Sequence, residues 1–352
     1  MNEQALTPQP SPVPNPTPAK APRRSHRLRN ALIGSVAALA LAVGGTAAWA
    51  LDRFVIDHVE VSDVAAYEAE HSTTASASAS GGASSQTDAN STASESSETV
   101  TSLTDTSYAS SDGTSVTITR GSYGSGSDAA TYYVADVVVS DATDLRSAFA
   151  GNAFGGNITD LVSTIATQNN AVLAINGDYY NYKDKYGLII RNGVLYRDKP
   201  STRDLLLVDQ SGRMSGVLAA DRQEGMGQSY IDAGIVQSFE FGPLLVLDGE
   251  KTELPAKYII YTGDTVREPR TAIGQVDENH FVVIVADGRR DGWSDKGMTL
   301  QEMQQVFLDA GCHIAYNLDG GGSATMVLGG ALVNKTSGSR ERNVSDILYF
   351  TD

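Results

Sequence analysis

Apolar and polar positions divide the chain into stretches of different period. Ala31–Leu51 is 21 residues without a charge, about the length a helix needs to cross the hydrocarbon core of a bilayer. It predicts a transmembrane helix. Thr131–Val139 alternates and predicts a strand. Asn157–Gln168 places Ile158, Leu161, Val162 and Ile165 at i, i+3, i+4 and i+7, which predicts an amphipathic helix. Ala171–Ile175 predicts a short buried strand, Gly187–Leu195 and Asp204–Val208 strands of a meander, and Phe241–Leu247 a further strand. The clearest unit is His280–Leu318. Phe281–Ala286 is apolar throughout and a polar loop follows it. Next come a helix over Thr299–Ala310, striped by Met303, Val306, Phe307 and Ala310, and a strand over His313–Leu318. Gly311 is placed to stop that helix. If both strands share a sheet, this order predicts a parallel pair joined by a crossover. The expected fold class is α+β: a mixed β-sheet domain with at least one β-α-β crossover, preceded by a single transmembrane helix and a disordered linker.

Composition sets the boundaries. Seven of the eleven prolines fall in residues 1–22, and five basic residues, Lys20, Arg23, Arg24, Arg27 and Arg29, precede the apolar span. Residues 1–30 therefore read as a disordered cytoplasmic tail. The basic flank puts the N-terminus inside and the rest of the chain outside the cell membrane. The competing reading is a cleaved signal peptide with Ala48-Trp49-Ala50 as its small-x-small site. Residues 52–71 show no assignable pattern. Residues 72–99 hold ten Ser, five Thr and six Ala, with no Val, Leu, Ile or aromatic residue, so they cannot form a core. A flexible chain of ~28 residues spans roughly 30 Å root-mean-square. Residues 52–99 are thus expected to be a membrane-proximal segment and spacer. Residues 1–99 as a whole are expected to add nothing to the site. Residues 100–352 are globular in composition and long enough for one substantial core.

Charge and cysteine count narrow the function. The chain of 352 residues carries a net −16. Nucleic acid is not an expected partner, because phosphate backbones select clustered Lys and Arg. Cys312 is the only cysteine, which excludes an intramolecular disulfide framework and a Cys-based metal cluster. Its place after the helix stop suits an inert core thiol. The five histidines show no metal-ligand spacing.

Three predicted strands end in turns of Gly and Asp: Asn176-Gly-Asp178, Asp287-Gly-Arg289 and Asp319-Gly-Gly-Gly322. If the strands point the same way, their turns meet at one edge. The glycine run in Asn317-Leu-Asp-Gly-Gly-Gly-Ser323 lets backbone N–H groups approach an anion; a tight turn with a self-capping Asp is the competing explanation. Arg289 and Arg270 offer planar forks for phosphate, against ordinary ion pairs. Asp178 stands beside Tyr179 and Tyr180, rings that suit a sugar face or a core. Thr299 and Glu302 have the spacing of a capping box.

Together these segments resemble the phosphodiester glycosidase family. The matching pieces are Asn176-Gly-Asp-Tyr-Tyr180, Pro269-Arg-Thr-Ala-Ile-Gly274, Ala286-Asp-Gly-Arg289, and Ser294 with Gly297-Met-Thr-Leu300. Asn317-Leu-Asp-Gly-Gly-Gly-Ser-Ala-Thr-Met326 and Arg342-Asn-Val344 complete the set. The resemblance covers roughly residues 130–352. Animal members are cysteine-rich and carry extra modules, so a bacterial envelope protein is the better match. The resemblance implies a hydrolase that cleaves sugar-1-phosphodiesters of N-acetylglucosamine type in envelope or exopolysaccharide glycans. A non-catalytic glycan-binding protein and a phosphodiesterase cleaving P–O are the alternatives. The implied catalytic set is Asp287 and Asp319, with Asp178 third. The implied substrate-binding set is Asn176, Tyr179, Arg270, Arg289, Gly320, Gly321, Gly322 and Ser323. Among cofactors, Ca2+ is the one such aspartates would suit.

Overall fold

The computed structural model describes residues 43–52, 55–71, 102–125, 129–180, 186–255, 266–288 and 296–352. In chain order the elements are β1 (His58–Val61), α1 (Val64–His71), β2 (Ser115–Tyr123), β3 (Ala130–Val138), β4 (Leu145–Phe149), β5 (Phe154–Gly156), α2 (Val162–Gln168), β6 (Leu173–Asn176), β7 (Leu188–Arg191) and β8 (Val194–Asp198). There follow β9 (Leu205–Asp209), β10 (Met214–Val217), β11 (Ile235–Phe239), β12 (Leu244–Leu247), β13 (Arg270–Asp277), β14 (His280–Ala286), α3 (Leu300–Asp309), β15 (Ile314–Asn317), β16 (Met326–Leu328) and β17 (Asp346–Phe350).

Period-2 alternation assigns each strand two faces, and the apolar clusters show what covers them. Val283 and Val285 of β14 face a core shared with Leu173, Ile175, Leu348 and Phe350. Their neighbours Val282 and Ile284 pack against Met303, Val306 and Phe307 of α3. Ala174, Ile347 and Tyr349 turn the other way, onto Val162, Ile165 and Ala166 of α2. The result is four layers: α3, a nine-stranded sheet, a five-stranded sheet, and α2. The large sheet runs Glu250–Lys251, β12, β15, β13, β14, β3, β2, Ser107–Ala109, Ser102–Leu103; the smaller runs Ala331–Leu332, β16, β6, β17, β4. Burial on both faces explains why β14 reads as a continuous apolar run.

The expected crossover needs one correction. β14 and β15 share a sheet and a direction, but β13 lies between them, antiparallel to both. The fold is mixed helix and sheet, mostly β, and every ladder among the described residues is antiparallel. Gly187–Leu195 is a second correction. It is not one strand but a hairpin, β7–β8, turning at Asn192-Gly193 with positive φ at both residues. The predicted helix at Asn157 starts only at Val162, because Asp160 bridges Val344 instead.

The N-terminal boundary also moves. One compact unit covers Ile56–Asp352. Within it β1 pairs with β5, and Val64 of α1 is buried with Phe149, Phe154, Tyr180 and Ile189. The carboxylate of Glu68 accepts from Asn192 Nδ2 at 3.0 Å and from Tyr196 Oη at 3.1 Å. Residues 58–71 are therefore part of the domain rather than of a spacer. Of the predicted membrane span, residues 31–42 lie outside the described residues, as does the Ser/Thr stretch 72–101. Residues 43–52 are helical. Among the described residues no helix is long and apolar enough to cross a membrane, so the crossing rests on sequence alone.

Candidate active site

β13 begins, and β14 and β15 end, at one edge of the large sheet; β6 of the smaller sheet ends against it. Asn176 fastens the two. Its Oδ1 accepts from Thr271 Oγ1 at 2.7 Å and from the Thr325 N–H at 3.2 Å, while its Nδ2 donates to Asp319 O at 2.7 Å. Both ends of this buried amide are engaged with protein. Asn176 thus positions the turns instead of facing a substrate.

The next residues hold an acid. Asp178 Oδ1 accepts from the Tyr179 N–H at 3.0 Å and Oδ2 from the Glu240 N–H at 2.6 Å. The Asp178 N–H in turn donates to Asp346 Oδ1 at 2.8 Å. A Cβ at Gly177 would stand 2.6 Å from Asp346 Oδ1, so only glycine lets these chains meet. Arg191 Nε and Nη2 both reach Asp346 Oδ2, at 3.1 and 2.7 Å, and Nη2 is 3.9 Å from Asp178 Oδ2. Its guanidinium carbon lies 4.3 Å from the Phe239 ring centroid. Burial pushes the Asp346 carboxyl up to about 6, against the pull of Arg191. Arg191 and Asp346 escaped the sequence reading. The one signal for each was a charge at the edge of an apolar strand, Leu-Ile-Ile-Arg191 and Asp346-Ile-Leu.

Asp319 follows β15. Its Oδ1 accepts from the Gly320 N–H at 2.9 Å. Burial pushes its carboxyl up to about 6; the Asp178 charge adds to the rise, while the Ser323 hydroxyl, Arg342 and the Gly320 N–H oppose it. The Gly321 N–H donates to Pro269 O at 2.8 Å, so the first two amides of the glycine run serve the turn rather than an open anion nest. Gly321–Ser323 forms a single 3-10 turn. Exposed Arg342 lies over it: a Cβ at Gly322 would come within 3.0 Å of Arg342 Cδ and 3.3 Å of its Nη1. Arg342 belonged to the Arg-Asn-Val motif, yet only the structure sets it beside Asp319.

The other predicted residues at this edge are engaged with the protein in different ways. Asp287 ends β14, two strands from β15 and so roughly 10 Å away across the sheet; its Oδ1 accepts from the Lys335 N–H at 2.9 Å. Asp178 is brought beside Asp319: the Asp319 N–H donates to Gly177 O at 3.4 Å, and the Asp178 charge acts on the Asp319 carboxyl. Buried Arg270 donates from Nε to Met298 O at 3.1 Å and from Nη2 to Val266 O at 2.8 Å, tying the start of β13 to the segment before α3. Arg289 lies outside the described residues. Tyr179 is half-buried and, with Asp178, lines a small depression of about 20 Å³. Tyr180 is a core ring stacked on Phe154. Thr299 and Glu302 form the capping box. Cys312 is buried and its thiol is pushed up to about 12, too high for a nucleophile. No group of three or more His, Cys, Asp or Glu among the described residues gathers to hold a metal.

The turns that build this edge are the segments that carry the family likeness, and a phosphodiester glycosidase family model matches residues 169–351. The chain belongs to the phosphodiester glycosidase family. It is 32% identical over 206 residues to the SPbeta prophage-derived uncharacterized protein YomE of Bacillus subtilis (strain 168), covering 55% of this chain and 30% of that protein. It is 31% identical over 120 residues to N-acetylglucosamine-1-phosphodiester alpha-N-acetylglucosaminidase of Homo sapiens, covering 32% of this chain and 22% of the enzyme. The match thus spans less than a third of either relative. In fold the chain is similar to the zebrafish catalytic domain of that enzyme, auto-inhibited by its pro-peptide, with TM-score 0.52 and 21% identity over 67% of this chain and 83% of that one. A hypothetical protein from Synechocystis gives TM-score 0.52 at 16% identity, covering 66% and 61%. At these identities the likeness is one of fold alone.

Proposed function

We propose that this phosphodiester glycosidase hydrolyses the bond between the anomeric carbon of a sugar and a phosphodiester oxygen. The observation that supports it most is the meeting of two turns: the Asp319 N–H donates to Gly177 O at 3.4 Å, next to Asp178, with Arg342 over the adjoining glycine turn, and burial there raises the Asp319 carboxyl to about 6. Water attacks the anomeric carbon and gives its proton to ionised Asp319. The C–O electron pair leaves with the phosphate, which needs little protonation. The Asp178 carboxylate faces the positive charge that develops at the anomeric carbon. Arg342, over the glycine turn, stabilises the departing phosphate. Arg289 is a second candidate for that role.

The substrate class is a sugar-1-phosphodiester of N-acetylglucosamine type. The basic flank and uncharged span of residues 23–51 support an external, membrane-anchored site acting on envelope or exopolysaccharide glycans. Hydrolysis of the methyl phosphodiester of N-acetylglucosamine 1-phosphate in 18O-water tests the reaction. Free sugar carrying the label is expected. Release of sugar 1-phosphate with label on phosphorus would establish P–O cleavage instead, and binding without turnover would establish a glycan-binding protein.

A further inference from the structure

The depression beside Asp178 has a second end. Besides Asp178 and Tyr179 it is lined by Tyr186, Leu188, Arg203 and Glu240; it encloses only about 20 Å³, so a ligand here lies along its open rim, where Tyr186 and Arg203 are half-exposed. Arg203 is half-buried there. Its Nη2 donates to Tyr186 Oη at 2.6 Å, and its guanidinium carbon lies 5.1 Å from the Tyr186 ring centroid. The backbone holds it in place. The Arg203 N–H donates to Ser201 Oγ at 3.3 Å, and Arg203 O accepts from Arg222 Nη1 at 3.0 Å.

What singles this arginine out is that no carboxylate among the described residues forms an ion pair with it, although the chain has 42 acidic residues against 26 basic ones. The two acids of the depression are engaged elsewhere. Glu240 Oε1 is 3.0 Å from Arg222 Nη1 and its Oε2 accepts from the Leu188 N–H at 2.6 Å. Asp178 accepts from two backbone N–H groups. A half-buried guanidinium stacked on a tyrosine, with donors left over, is a receptor for an oxyanion attached to a flat apolar face. A saccharide unit bearing an acid group has both parts.

We propose that Arg203 and Tyr186 form a subsite for a second, acidic saccharide unit of the substrate. The tyrosine ring takes the pyranose face and the guanidinium takes the phosphate or carboxylate of that unit. This rests on the glycosidase reading of the adjoining Asp178–Asp319 site, and it makes the preferred substrate a polyanionic glycan rather than an isolated sugar-1-phosphate ester.

Three phosphodiesters of N-acetylglucosamine 1-phosphate test it, esterified to a hydroxyl of glucose, of a glucose phosphate, or of glucuronic acid. The full chain should show higher kcat/KM for one or both acidic aglycones than for glucose, and the better one identifies the oxyanion. In Arg203→Gln that preference should fall about tenfold, the scale of one charge-assisted hydrogen bond. Arg203→Lys should keep part of it, which separates charge from folding. No preference in the native chain, or the same preference in Arg203→Gln, would overturn the subsite. If the native chain cleaves none of the three, the glycosidase reading fails and calorimetric binding decides the subsite independently. Acidic compounds that bind the native chain at least tenfold tighter than Arg203→Gln uphold it; equal binding removes it.

Discussion

At the scale of single residues, two carboxyls are held at about 6 by burial, and each gives an observable. The ordinary value for Asp319 is 3.8, so the folded state binds this proton more tightly than the unfolded chain does. That stability is fully present below pH 3.8 and is lost as pH rises through about 6. Asp319→Asn has no charge to bury. It should melt a few degrees above the native protein at pH 7.5, with the difference closing on acidification below pH 4, as followed by thermal unfolding. The same variant should lose about 10²–10⁴ in kcat, the usual share of a general base. In the native protein kcat should decline as pH falls through about 6. Arg191 is the opposite case, a cation between Asp346 and Asp178 with almost no exposure. Arg191→Met strands two buried carboxylates and should cost about 3–5 kcal/mol in urea unfolding. Asp178 and Asp319 were legible because glycine turns exposed them in the pattern; Arg191 and Asp346 were not, because their partners lie 155 residues apart.

At the scale of elements, local chemistry and long-range pairing separate cleanly. α3 carries its own instructions: Thr299 accepts from the Glu302 N–H at 3.1 Å and Glu302 accepts from the Thr299 N–H at 2.9 Å. Thr299→Ala should cost about 1 kcal/mol, measurable by denaturant titration. β1 and α1 had no such signature, since Val64 is the only buried residue of α1 and β1 is mostly exposed, so neither shows an apolar face. Their place comes from contact with β5 and the β7–β8 hairpin. Burying Val64 alone is worth about 1.5–3 kcal/mol, and Glu68 holds Asn192, next to Arg191. Removal of residues 1–55 should leave Tm and kcat unchanged. Removal of residues 1–71 should lower both, because the hairpin that carries Arg191 loses its outer support; equal behaviour of the two truncated proteins would refute the coupling.

At the scale of the whole molecule, the N-terminal anchor is a proposal from the sequence, and the structure supports a domain that begins at Ile56. Residues 58–71 and 102–352 belong to one unit. Fractionation of cells should find the chain in the membrane fraction and accessible to protease from outside; recovery in the cytosol would contradict the anchor. What the sequence determined by itself was set by short-range physics: the α3 cap and stripe, the apolar run of β14, the acids at glycine turns. Tertiary structure decided the rest. β13 enters between β14 and β15 because it pairs with β14 through a two-residue turn on one edge and with β15, which arrives only after α3, on the other, and no local pattern encodes which strand will fill a gap. Pairing of Asp319 with Asp178 instead of Asp287 follows from that insertion. It widens the spacing between β14 and β15, and the meeting of the two sheets at Asn176 brings Asp178 to Asp319.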